Sequence, residues 1–170
     1  MQKPIQFILV GFPFAGKTTL ATELEKRLGF ARINLDEVKF EHGYEGISDD
    51  DVPDKAWGEI FQDANKRLIN YLKAGKSVLN ETAWTTREWR DKARRVALDA
   101  GFQTKIIYLE IPEEITRERW LKNRKTKQRF DVPDNVFEES IRTFEIPGEE
   151  ENIIVFDQNT SLDKWVERYF

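Results

Sequence analysis

Short apolar runs alternate along the chain with longer stretches whose apolar positions recur every three or four residues. Residues 5–10, Ile-Gln-Phe-Ile-Leu-Val, form the first run and stop at Gly11. A near-continuous apolar segment of that length predicts a strand covered on both faces. From Lys17 the apolar positions are Leu20, Ala21, Leu24 and Leu28, a helical spacing, and Gly29 marks the stop. A second short strand is predicted over 30–35, ending at Asp36. The acidic, turn-like stretch 48–54 precedes an amphipathic helix over about 54–74 that ends at Gly75. Residues 77–79 read as the third strand, and 86–100 as a helix closed by Gly101. The fourth strand is predicted over 104–111 and stopped by Pro112. A charged helix over about 113–122, a basic stretch over 122–129 and a helix over about 134–144 come next. Residues 152–156 give the fifth strand, and Ser161 caps a last helix.

Five buried strands alternating with helices call for a parallel sheet covered on both faces. The expected fold is a three-layer α/β domain. It is one domain over 1–170, because the chain shows no repeat or low-complexity linker and is too short for two comfortable cores. Charged residues at 34% beside 39% hydrophobic ones predict a globular, soluble chain. A net charge of −4 argues against a strongly basic, non-specific nucleic-acid binder. The absence of cysteine excludes disulfides, thiolate metal sites and Cys nucleophiles. A single histidine, His42, excludes a His-based triad or a multi-His metal site. The first apolar run is too short for a signal peptide, and no run approaches the roughly 20 residues of a membrane span. The expectation is a cytoplasmic protein with no membrane partner, either monomer or homodimer.

Between the first strand and the first helix lies Gly11-Phe-Pro-Phe-Ala-Gly16-Lys17-Thr18, a Gly-x4-Gly-Lys-Thr spacing. Each part has its own task. Gly11 and Gly16 stand where backbone takes unusual dihedrals and approaches phosphate oxygens without an intervening Cβ. The loop N–H groups and the helix N-terminus together form an anion site. Lys17 can reach the β- and γ-phosphates of ATP, and the Thr18 hydroxyl suits Mg²⁺. The cofactor-binding set is therefore Gly11, Phe14, Ala15, Gly16, Lys17, Thr18 and Thr19, with Thr19 continuing the helix and assigned no ligand of its own.

Ligands of open α/β sheets sit beyond the C-terminal ends of the strands, so acids there are candidates. Asp36 follows strand two and could accept the proton of an attacking hydroxyl; it could equally cap a helix over 37–41. Glu81 ends strand three and could hold Mg²⁺, partly through water, together with Thr18; Asn80 beside it leaves the register open by one. From Arg117 to Arg129 seven cations fall within thirteen residues. Such a segment reads as a basic lid, about 122–133, that closes over ATP and neutralises transition-state charge; a solvated charged helix end is the plainer reading. The Asp49–Asp51 run reads as a solvated loop, and Trp57 and Trp84 read as core residues before they read as acceptor-pocket walls.

With these residues placed, the chain resembles the small P-loop kinases grouped with the zeta toxins, polynucleotide kinase and chloramphenicol phosphotransferase. Wider relatives are gluconate, shikimate and adenylate kinases. The resemblance runs through Gly11–Thr18, Leu35-Asp36-Glu37-Val38-Lys39, Gly75 to Thr82, Thr86-Arg87-Glu88-Trp89-Arg90, Arg119-x4-Arg124 and Phe144-Glu145-x-Pro147-x-x-Glu150. It implies a P-loop NTPase fold with strand order 2-3-1-4-5. It also implies that Asp36 is the general base, that Glu81 rather than Asn80 is the strand-three acid, and that Arg119 and Arg124 lie near the ATP phosphates. Lys39 stands where polynucleotide kinases carry an acceptor-binding arginine, and a lysine lacks the bidentate fork. Lys39 and Arg87 are the candidate acceptor contacts. The implied activity is ATP- and Mg²⁺-dependent transfer of a phosphoryl group to an alcohol on a small molecule such as a metabolite, nucleoside or antibiotic. A polynucleotide 5′-hydroxyl kinase and an ATP-binding module or slow ATPase without acceptor are the alternatives.

Overall fold

The computed structural model describes residues 3–82 and 85–170. Its strands are β1 (Ile5–Val10), β2 (Ala31–Asn34), β3 (Val78–Glu81), β4 (Gln103–Glu110) and β5 (Ile153–Asp157). Helices α1 (Lys17–Leu28), α2 (Leu35–Glu41), α3 (Asp54–Lys73), α4 (Arg87–Asp99), α5 (Glu113–Thr126), α6 (Asp134–Arg142) and α7 (Leu162–Tyr169) lie between and after them. All four pairings are parallel, and the strand order is β2-β3-β1-β4-β5. That order agrees with the one the resemblance implies.

β1 is central and buried at all six positions, which is why its sequence is almost wholly apolar. Alternate residues serve opposite faces. Phe7 and Leu9 join Leu20 and Leu24 of α1 and Trp165 of α7, while Ile8 and Val10 join Ala93 of α4. The β2–β3 half is covered by Ile60, Ala64, Leu68 and Leu72, one stripe of α3, packed on Ile33 and Val78. Burying each large aliphatic side chain contributes about 1.5–3 kcal/mol, so the sheet is held from both sides.

Three elements differ from expectation. Strand three starts at Val78 and runs through Glu81, later than the 77–79 reading, because its ladder with β1 continues to Glu81 opposite Leu9. The charged helix continues to Thr126, so Lys122, Arg124 and Lys125 are helical, and of the stretch expected as a lid only Lys127 to Pro133 is irregular. Lys and Arg are good helix formers, and in the last turn they complement the helix dipole. Lys127 then stops the helix in a left-handed conformation, its N–H donating to the Asn123 carbonyl at 2.7 Å. Finally, Asp36 does not cap α2. Asn34 does, its Oδ1 accepting from the N–H groups of Asp36 at 2.9 Å and Glu37 at 3.3 Å.

A buried ion pair joins the start of α4 to the turn before β5. Arg90 donates from Nε and Nη2 to the two carboxylate oxygens of Glu151, both at 2.8 Å, and both side chains are 1% exposed. Arg90 Nη1 also donates to the Glu145 carbonyl at 2.9 Å, and the Arg87 N–H donates to the Glu145 carboxylate at 2.7 Å. Removing Arg90 takes away the bidentate partner of the buried Glu151 and leaves it only the longer contacts to Arg87 at 3.5 Å and Arg94 at 3.7 Å. Arg90→Ala should therefore lower unfolding free energy by about 3–5 kcal/mol, read from the urea midpoint. The double variant Arg90→Met/Glu151→Leu should recover much of that loss, and a single variant no less stable than the parent would contradict the assignment.

Candidate active site

The loop after β1 is shaped by close approach and by strain. A Cβ on Gly11 would stand 3.2 Å from both the Cβ and the carbonyl oxygen of Leu109, so a side chain there presses on β4 and needs it to give by a few tenths of an ångström. Gly16 has φ 99°, in the region where glycine alone is comfortable. Phe14 reaches φ 65° without being glycine, a conformation that costs on the order of 1 kcal/mol and needs outside support. That support is aromatic. Its ring packs with Phe137, which stacks on Trp120 at 4.2 Å and 2°. The Arg129 guanidinium lies 5.1 Å from the Phe14 ring. The loop is thereby fastened to α5, α6 and the lid.

Lys17 Nζ donates to the carbonyls of Gly11 and Phe12, each at 2.8 Å. Burial strips water from this ammonium and pushes its pKa down to about 8; Glu81 opposes the shift and Arg129 adds to it. The Thr18 hydroxyl donates to Glu81 Oε1, which joins the first turn of α1 to the end of β3. Glu81 is 4% exposed, and its other oxygen accepts from Arg32 Nη1 at 3.3 Å. Asn80 turns the other way and donates to Gln6 Oε1 at 3.0 Å inside the sheet. A threonine hydroxyl and a carboxylate already in contact fit a Mg²⁺ ion that takes its remaining oxygens from phosphate and water. Among the described residues no cluster of three or more His, Cys, Asp or Glu side chains forms a metal cage.

Asp36 lies at the start of α2, just past β2, with its side chain freed by the Asn34 cap. Its residue surface is exposed. Partial loss of water around its carboxyl, set among α2 and the Asp49 turn, pushes its pKa up; Asp49, Glu81 and Glu37 add to the shift and Lys39 opposes it.

Arg119 Nη1 donates to the carbonyls of Phe14 at 3.1 Å and Ala15 at 3.3 Å, which puts its charge on the loop. Arg124 is not brought there. It pairs with Asp134 and stacks at 4.2 Å on Trp120, so it fastens α5 to α6. Arg129 takes the place beside the loop, and sequence spacing gave no reason to prefer it among the seven cations. Between α1, α5 and the lid opens a cleft of about 550 Å³. Phe14, Gly16, Thr19, Arg119, Arg129 and Gln158 are among its walls, and that volume lies in the range of small-molecule sites.

Neither acceptor candidate is free. Lys39 is buried, donating to the Ile47 carbonyl at 2.5 Å and to Asp49 Oδ1 at 2.7 Å, and so pins the loop after α2. Arg87 pairs with Asp91 at 2.9 Å and Glu150 at 2.6 Å. Trp57 donates from Nε1 to the Asp49 carbonyl at 3.1 Å and flanks Phe61. Trp84 lies outside the described residues. No helix of the described residues is long and apolar enough to cross a membrane.

Comparison with known proteins bears on the fold and the family. No curated protein matches the chain. Among solved structures it is similar to the APS kinase of Mycobacterium tuberculosis in complex with AMPPNP and APS, with TM-score 0.68 and 17% identity over 99% of this chain and 96% of that one. A gluconokinase from Sinorhizobium meliloti gives TM-score 0.65 and 18% identity over 98% and 90%. A sugar kinase from Janibacter sp. gives 0.66 and 17% over 97% and 91%. These likenesses establish the fold of P-loop kinases. A family model described as an AAA domain matches residues 7–147, from β1 through the phosphate loop to the segment after α6, and the chain belongs to that family.

Proposed function

We propose that this protein is a kinase that moves the γ-phosphoryl group of ATP to an alcohol on a small molecule. One observation carries the reading. Lys17 and the loop stand between two unlike sites: a cleft of small-molecule size over α1 and α5, and Asp36 with Glu81 beyond β2 and β3. Phosphoryl transfer needs attacking and leaving oxygens roughly in line through phosphorus. A donor on one side of the loop and an acceptor on the other would supply that geometry.

The loop amides and Lys17 would hold the phosphates, and Lys17 would exchange the Gly11 and Phe12 carbonyls for phosphate oxygens. Thr18 and Glu81 would hold Mg²⁺, which when bound neutralises phosphate charge. Asp36 would accept the hydroxyl proton as the new O–P bond forms and the bond to the β-phosphate oxygen breaks, releasing ADP. A carboxylate whose pKa is raised by its surroundings is a better proton acceptor than a solvated one. Arg119 and Arg129 would face the transferring oxygens from the lid side. The APS kinase of similar fold holds AMPPNP, an analogue of ATP, and this supports ATP as the donor by analogy of fold alone.

Asp36→Asn should keep nucleotide affinity while lowering acceptor-dependent ADP release at least about 100-fold, measured in a coupled ADP assay. Unchanged turnover would point instead to a binding module or slow ATPase. Lys17 gives a second test. With its pKa near 8 in the free protein and restored upward by bound phosphate, nucleotide binding should take up close to one proton at about pH 9 and almost none at about pH 6.5. Calorimetry in two buffers of different ionisation enthalpy reads this directly, and Lys17→Met should abolish the uptake.

A further inference from the structure

The acceptor side of the loop has its own character, and it differs from the donor side in charge and in surface. Beyond β2 and β3 the wall is built from α2, the turn at Asp49–Asp51, one face of α3 and the start of α4. Trp57 and Phe61 are four residues apart on α3 and share a face. Their rings are 5.8 Å apart, and Phe61 stacks at 6.0 Å and 10° on Trp89 of α4. Trp89 is 43% exposed while Trp57 and Phe61 are partly buried, so the row opens to solvent at its Trp89 end. Two contacts tie the row to the reaction centre. Trp57 Nε1 reaches the Asp49 carbonyl, and Asp49 is the charged neighbour acting most strongly on Asp36. Phe61 also lines a small hollow together with Leu35, beside Asp36, and Asn80, beside Glu81.

The charges on this wall are as telling. Asp36, Glu37, Asp49, Asp50 and Asp51 stand along it. Each nearby cation is already held by carboxylates: Arg32 by Glu37 and Glu81, Lys39 by Asp49, and Arg87 by Asp91 and Glu150. Lys92 caps Trp89 at 4.5 Å and pairs with Glu88 at 2.8 Å. Lys55 and Lys66 of α3 fall on the opposite side of the helix from Trp57 and Phe61, at 100° per residue. An anionic acceptor entering here would meet carboxylates and no uncommitted guanidinium among the described residues. An uncharged or cationic one would meet an open aromatic surface, which favours planar rings and cations alike.

We infer that the acceptor is an uncharged or cationic alcohol carrying a planar ring, seated on the Trp57–Phe61–Trp89 row with its hydroxyl toward Asp36. This assignment rests on the kinase reading above and narrows it.

The test is transfer from γ-labelled ATP to a panel graded by charge and ring content. Adenosine, uridine and an aryl glucoside are the uncharged ring-bearing members and an aryl amino alcohol is the cationic one; glucose and glycerol lack the planar ring; gluconate and a 5′-hydroxyl oligonucleotide are anions. ATP binding is measured alongside. Labelling should concentrate in the ring-bearing members that carry no negative charge. Trp89→Ala should raise KM for those acceptors about tenfold with kcat and ATP affinity held, and Trp89→Phe should restore it. Equal or better kcat/KM for gluconate or the oligonucleotide would overturn the assignment. So would an unchanged KM in Trp89→Ala, or no labelled ring-bearing acceptor while ATP still binds. Failure to bind ATP would instead remove the kinase reading itself.

Discussion

Most of the site follows from the register of β3 against its two neighbours. Glu81 stands opposite Leu9 of β1 on one side and Asn34 of β2 on the other. Because β1 runs straight into the phosphate loop and β2 straight into α2, that one alignment brings the end of β3 beside both Thr18 and Asp36. Side chains alternate faces along a strand, so a slip of one residue would present Asn80 in place of Glu81. The slip is blocked by burial, because Val78 and Leu79 are fully buried and Asn80 is committed to Gln6. The hydrophobic sheet, which carries no chemistry, therefore fixes where the chemistry stands.

The loop itself is held from above as the sheet holds it from below. Phe14 accepts a left-handed backbone because its ring is clamped in the Trp120–Phe137 cluster, and Arg119 binds the loop carbonyls from the same helix. Arg124 and Asp134 close that cluster at its rim. Cations thus gather on the α5 and lid side, and carboxylates gather over β2 and β3. Phosphate would be drawn to the first group and an attacking hydroxyl would use the second, so the change of charge across the loop suits the proposed transfer.

Local pattern carried the fold a long way. The apolar run of β1, the Lys17–Leu28 spacing and the glycine stops are each decided by nearby residues, and the structure keeps them. The loop motif was equally legible, since its spacing is its mechanism. What the sequence hid were partners far along the chain. Arg87 looks free until Glu150, 63 residues away, reaches it. Lys39 looks like an acceptor contact until the chain folds Ile47 and Asp49 over it. Arg124 and Arg129 are indistinguishable in a run of cations, and only the packing of α6 and the lid separates them. Asn34 shows a further limit: it and Asp36 are both good caps, and the strand's actual end decided between them.

The proposed division of donor and acceptor across the loop at Gly11–Thr18 is tested most directly by a crystal structure with a non-hydrolysable ATP analogue and Mg²⁺. The base and ribose should lie in the cleft between Phe14, Thr19, Arg129 and Gln158, with the terminal phosphate directed toward Asp36 and Glu81. A base stacked instead on Trp57, Phe61 or Trp89, with the terminal phosphate directed away from Asp36, would contradict that division.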